Sequence, residues 1–204
     1  LLRGIEAKVC REDPWTRQVC CLPGARIKDV TEQLPRLMQP TDTYPFLLFH
    51  VGTNDTAKRS YKEITADFEE LGRELKNFGA QIVFSSILPV LGRGIERERK
   101  ILRVNDWLRR WSRREGFGFW DHGLHFLEDG PLAKDGLHLT RTGKNVFGHS
   151  MRNLNQEGFK LNPTGEGDIN SGVPMEEGLF ATMERTAPAV PIDSLPQNVG
   201  GKSD

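Results

Sequence analysis

Three short runs, Tyr44 to Val51, Gln81 to Leu88 and Phe117 to Asp121, are apolar at nearly every position. A strand with one face in water alternates apolar and polar residues, so a run without alternation reads as a strand covered on both faces. Between and after these runs come stretches with the period of an amphipathic helix. Ser60 and Glu63 form a capping box, Ile64, Phe68, Leu71 and Leu75 share the face that follows, and Gly79 is a natural stop. Glu96 to Glu115 is charged, with Ile101, Val104, Leu108 and Trp111 on its apolar side, and Trp107 and Trp111 are expected in the core. Thr140 can cap a last helix to about Leu154 that turns Val146, Phe147 and Met151 inward, with His149 structural. Strands alternating with helices predict a parallel sheet sandwiched between helices, with any site at the carboxyl ends of the strands.

The remaining segments fit around that frame. Leu1 to about Val9 has helical spacing but no N-cap of its own, and implies residues ahead of Leu1. Arg17 to Leu22 is brief and lies between Pro14 and Pro23, as an edge strand would. Pro23-Gly24 marks a turn before Ile27, Val30, Leu34 and Leu37 recur at helical spacing, and Pro35 is expected to end or kink that helix near Leu34. From 156 onward Gly, Pro, Ser, Asn and acidic residues dominate, so residues 1–155 are expected to form the domain and 156–204 a disordered acidic tail. Charge follows the same division: 25 Lys/Arg against 20 Asp/Glu in 1–155, and 3 against 8 in 156–204. A mildly basic domain of this kind does not by itself demand a nucleic-acid partner. Cys10, Cys20 and Cys21 suit neither a disulfide framework nor a zinc site, which favours a reducing, cytoplasmic setting. No apolar run reaches the roughly 18 residues a bilayer span needs.

Two loops offer chemistry. In Asp135-Gly136-Leu137-His138 the three-residue spacing lets a carboxylate accept from one imidazole nitrogen, fixing the tautomer and leaving the other nitrogen to take a proton. In Gly52-Thr53-Asn54-Asp55 a carboxamide sits on a tight turn where, with a nearby backbone amide, it could hold an oxyanion. Gly24 presents a backbone amide at the start of a helix, where a ligand can approach closely. Each signal alone is ordinary, since Asp, Asn and Gly are favoured in turns and at helix starts. Their joint placement beyond strand ends is what gives them weight.

Gly24, the Gly52-x-Asn54-Asp55 turn and Asp135-x-x-His138 together resemble, in order and spacing, the later motif blocks of the SGNH (GDSL-type) hydrolase family over about residues 1–155. Leu1-Leu2-Arg3-Gly4, Cys20 to Arg26 and His50 to Asp55 are further similar to the esterase-like domain in the first open reading frame of vertebrate chicken-repeat LINE retrotransposons. The resemblance implies a flavodoxin-like α/β/α sandwich and a Ser–His–Asp esterase acting on a small ester substrate without a cofactor. In it His138 would be base then acid, Asp135 its orienting partner, and Asn54 and Gly24 oxyanion donors, with Gly52 and Asp55 in support. The family's Gly-Asp-Ser-Leu block places the nucleophile at the end of the first strand, directly before a helix. Here that serine and its central strand are expected ahead of Leu1. The chain as given is then expected to be inactive, marginally folded and prone to oligomerise.

No other residue replaces that serine convincingly. Ser60 is accounted for as a cap, and Ser85 and Ser86 lie in a buried run where a hydroxyl normally satisfies backbone. His50 reads as a hydrogen-bonded core residue near the site. His122 and His125, with Asp121 and Asp129, lack the further ligands of a closed metal site. The one competing function lies in the basic series that includes Arg109, Arg110, Arg113 and Arg114. Interleaved with Glu96, Glu98, Asp106 and Glu115 it reads as a solvated face, and the alternative is a footprint for RNA on a retroelement-derived module.

Overall fold

The computed structural model describes residues 17–38, 46–122, 130–156 and 180–184. In chain order the elements are β1 (Arg17–Cys21), α1 (Ile27–Leu37), β2 (Phe46–His50), α2 (Thr53–Lys58), α3 (Tyr61–Leu75), β3 (Gln81–Ser85), α4 (Ile95–Glu115), β4 (Gly118–Trp120), α5 (Arg141–Gln156) and β5 (Phe180–Glu184). They build one five-stranded sheet in the order β1-β5-β2-β3-β4. Strands β2, β3 and β4 run parallel, with Phe49 opposite Phe84 and Val83 opposite Gly118.

Alternation along β2 separates the two faces of the sheet. Leu47 and Phe49 join Ile82, Phe84, Ile27, Val30, Ile64, Phe68, Leu108 and Trp111 in one core, beneath α1, α3 and α4. Phe46 and Leu48 point the other way and pack with Val83, Trp120, Phe147 and Met151 beneath α5. The result is the expected α/β/α layering, and every residue of β2 is buried because both faces are covered.

The local signals act as the sequence indicates. Ser60 Oγ accepts from the Glu63 amide at 3.3 Å while the Ser60 amide donates to the Glu63 carboxylate at 2.7 Å. Thr140 Oγ1 accepts from the Gly143 amide at 3.1 Å and opens α5. Two expectations fail. Helix α1 runs through Pro35 to Leu37 and is closed by the Met38 amide donating to the Leu34 carbonyl. Pro35 stands in the last turn, where the lost donor affects a single hydrogen bond, and the burial of Leu34 and Met38 holds the turn against the core. Gly52-Thr53-Asn54-Asp55 is not a plain turn either: left-handed Gly52 leads straight into the short helix α2.

The sheet also differs from an all-parallel one. β5 is antiparallel to both neighbours, pairing Val19 and Leu48 with Thr182. It lies between β1 and β2, where the resemblance implies a parallel first strand. The two inner edges it joins would otherwise present unpaired amides and carbonyls. Five residues of the stretch read as a structureless tail are therefore in the sheet. The expected helix at 1–9 lies outside the described residues, as does the rest of 156–204 beyond Gln156. Among the described residues no helix is long and apolar enough to cross a membrane.

Candidate active site

The first half of the site forms where β1 and β2 end. Gly52 has φ 117°, and a Cβ there would lie 2.6 Å from Ile87 Cδ1, so only glycine turns the chain from β2 into α2 at this separation. That turn lifts Asn54 to the surface and buries Asp55. Asn54 Nδ2 donates to the Ala25 carbonyl at 2.9 Å, and Asp55 Oδ2 accepts the Ile27 amide at 3.2 Å. The two side chains staple α2 to the loop after β1 and to the first turn of α1. Gly24, at the crest of that loop with φ 77°, is exposed. Its amide and the second N–H of Asn54 have no partner among the described residues.

Asp55 carries a burden the sequence did not reveal. It is fully buried, its Oδ1 has no partner among the described residues, and burial pushes its carboxyl up to about 6 against the counteracting Ile27 amide. Helix α2 is fixed from its other side by α4. Arg97 donates to the Thr53 carbonyl at 2.9 Å, and Lys100 to the carbonyls of Thr56 and Arg59 at 3.1 and 2.8 Å. Lys100 thereby satisfies carbonyls at the C-terminal, negative end of α2, while Arg97 holds its first residue.

The second half forms in the loop before α5. Asp135 Oδ1 accepts from the amides of Leu137 and His138 at 3.0 and 2.9 Å, and its Oδ2 meets His138 Nδ1. Those amides, with the imidazole, hold the Asp135 carboxyl well below the usual carboxylate range. An ionised Asp135 selects the tautomer with hydrogen on Nδ1 and leaves Nε2 as an acceptor. The side chains are 35 % and 38 % exposed, and Nε2 has no hydrogen-bond partner among the described residues. Gly136, at φ 65°, accepts the Leu91 amide at 2.8 Å and has no room for a Cβ against the Leu91 carbonyl. Thr140 ties the base of the loop to Gly130 and Pro131 at 2.8 and 3.1 Å.

Both halves thus lie beyond the carboxyl ends of the parallel strands, and Leu137 packs on the same core cluster as Ala25, Val51 and Ile87. No hydrogen bond joins the halves among the described residues. Nor does His138 have a serine partner among them. His50 is a core residue as expected, its Nδ1 lying 2.5 Å from Ser85 Oγ and its pKa pushed down to about 3 by burial. Ser85 is therefore satisfied by a ring, not by backbone. Ser86 Oγ accepts the His122 amide at 3.0 Å. His122 is buried edge-on to His50, with ring centroids 5.5 Å apart, and burial followed by the nearby His50 lowers its pKa. His125 and Asp129 lie outside the described residues.

The basic helix is less free than its composition suggests. Arg109 pairs with Asp121, Arg110 with Asp106 at 2.5 Å, and Arg114 with Glu115 at 3.3 Å. Arg113 has no carboxylate partner among the described residues. Three of the four arginines assigned to an RNA footprint thus face a carboxylate, which offsets the field such a footprint requires.

The sequence signature of the GDSL-like lipase/acylhydrolase family matches residues 3–146. No curated protein matches the chain. Among solved structures, a protein of the G-D-S-L family from Desulfitobacterium hafniense DCB-2 superposes with a TM-score of 0.53 at 13 % identity, over 63 % of this chain and 75 % of that one. A gut microbial diltiazem-metabolizing enzyme, BT4096, gives 0.52 at 16 % identity, over 64 % of this chain but only 38 % of that one. The esterase domain of the ORF1 protein of the zebrafish ZfL2-1 retrotransposon gives 0.44 at 29 % identity, over 67 % of this chain and 83 % of that one. With a signature spanning both halves of the site and two solved proteins sharing its layered sheet, the chain belongs to the GDSL-like lipase/acylhydrolase family.

Proposed function

We propose that the domain is a carboxylester hydrolase in which His138 is the general base and then the general acid. Asp135 orients it, and the Gly24 amide and the second N–H of Asn54 receive the oxyanion. The observation that carries this reading is the Asp135–His138 pair: an ionised carboxylate on Nδ1, an Nε2 unpartnered among the described residues, and a loop pinned by Gly136 and Thr140. In the reaction a serine Oγ attacks the ester carbonyl carbon as Nε2 takes its proton. The imidazolium then protonates the departing alcohol, and water repeats the sequence on the acyl-enzyme. Gly52 and Asp55 support the site by setting the path of α2. The sequence resemblance to LINE-encoded esterase-like domains extends the reading to a retroelement origin.

Residues 1–204 alone are expected to turn over esters weakly or not at all, because His138 has no serine beside it among the described residues. The test compares this chain with the same chain carrying a Gly-Asp-Ser segment ahead of Leu1. The extended protein is expected to be labelled by a fluorophosphonate and to hydrolyse an aryl acetate. His138→Ala then lowers kcat by about 10³-fold or more. Turnover by the unextended chain that is indifferent to His138→Ala would refute the assignment.

A further inference from the structure

Four of the five strands run in one direction. β1 and β2 are each antiparallel to β5, so they are parallel to one another and to β3 and β4. β5 is the exception, and it is inserted between two strands rather than added at an edge. Phe180 is paired with both Cys21 and His50, and Met183 with both Gln18 and Leu47. The two walls of this slot have supports of their own. β2 is laddered to β3 on its other side. The end of β1 is anchored through its loop: the Ala25 amide donates to the Leu22 carbonyl at 3.1 Å, Asn54 Nδ2 holds the Ala25 carbonyl at 2.9 Å, and Leu22 packs on the core. Twice the spacing of neighbouring strands, about 9.6 Å, separates β1 from β2, too far for them to pair directly. With β5 withdrawn, their inner edges are a template for an extended segment.

Which copy of the chain supplies that segment is decided by the tether alone. β5 is reached from α5 through residues 157–179, 23 in number. A segment of that length spans up to about 75 Å, so the slot of a neighbouring copy lies within reach. The two ladders are the same whichever copy contributes β5, which is the condition for strand exchange. We propose that the slot between β1 and β2 is a strand-acceptor site for the β5 of a second copy, and that two copies exchange β5 reciprocally to form a dimer. Each copy's β1, and the Gly24 loop three residues beyond it, is then held by its neighbour's strand. Exchange is independent of the esterase reading. The tether holds a chain's own strand at an effective concentration on the order of 1 mM, so the closed monomer prevails in dilute solution and the exchanged dimer appears in concentrated solution.

The ladder itself supplies the probe. Cys20 is the direct partner of Ala181. Paired Cα atoms of antiparallel strands, about 4.5–5.5 Å apart, suit a disulfide, and Cys21 points to the other face. Ala181→Cys in the full chain, refolded at about 5 µM and oxidised, is expected to link Cys20 to position 181 within one chain. Exchange is read by mixing the parent chain with the double variant Cys20→Ala, Ala181→Cys, since neither can form that link alone. Refolded together from urea at about 1 mM, the two are expected to give a disulfide-linked heterodimer in about tenfold or greater yield than at about 5 µM. Peptide mapping is expected to place the link at Cys20. Ala181→Cys that does not close within one chain at low concentration overturns the proposal. So does a mixture that gives no Cys20-linked heterodimer at the higher concentration, equal yields at both, or links spread alike over Cys10, Cys20 and Cys21.

Discussion

At the scale of single residues, two carboxylates a short distance from strand ends are driven in opposite directions by their surroundings. Asp135 is half exposed and accepts two amides, so its charge is stabilised. Asp55 is sealed off with one amide for two oxygens, so its neutral form is favoured. Because the folded pKa of Asp55, about 6, lies above its ordinary value, its contribution to stability is complete at low pH and is lost as pH rises through 6. Asp55→Asn keeps an acceptor for the Ile27 amide and abolishes the titration. The variant is expected to gain stability relative to the parent between pH 4.5 and 7.5, on the order of 2 kcal/mol, seen as diverging denaturation midpoints. Buried His50 acts in the opposite sense below its unfolded pKa but is common to both proteins and cancels in the difference. Midpoints that stay parallel across that range would show that Asp55 is ionised in the fold without penalty. The Asp135 pairing could be read from a three-residue spacing. The burial of Asp55 could not, because nothing in Gly-Thr-Asn-Asp says that the turn continues as a helix and carries its fourth residue inward.

At the scale of elements, α3 comes tightly against α4 at Gly72. Gly72 lies where a Cβ would come within 2.7 Å of Trp111 and 2.9 Å of Phe117, and Trp111 is itself stacked on Trp107 at 5.2 Å. Neither ring can withdraw, since Trp111 is 3 % exposed and packs on Phe84. Gly72→Ala should therefore lower stability by about 1–3 kcal/mol despite its better helix propensity, as measured by urea denaturation. An unchanged or raised midpoint would mean that the helices part without loss. Periodicity revealed both helices and their inward faces because each residue's partner lies three or four positions away on the same element. Gly72 passed unremarked because its constraint comes from another element, and no local pattern records it. The same holds for Arg97 and Lys100, which read as part of a solvated stripe and instead satisfy the carbonyls of α2. Pro35 shows the converse error, where a strong local rule yielded to the burial of Leu34 and Met38.

At the scale of the whole molecule, the layering was legible because unalternating apolar runs require cover on both faces. The position of β5 was not, because its residues are embedded in a polar, glycine-rich stretch and the pairing is between strands far apart in sequence. Removing residues 157–204 takes away the strand that joins β1 to β2 and leaves two inner edges open. That truncation is expected to lower the melting midpoint and to produce oligomers by size-exclusion chromatography, through pairing of the exposed edges. A monomer as stable as the full chain would mean that the sheet does not need this strand. The pairing of Arg17 with Glu184 and of His50 with Phe180 also bears on when the protein can fold. During synthesis the helices and the β2–β3–β4 ladder can assemble as they emerge, whereas β1 must wait for its partner until residues 180–184 have been made. A ribosome stalled before residue 180 would hold the loops of Asn54 and His138 already made on a sheet that cannot yet close.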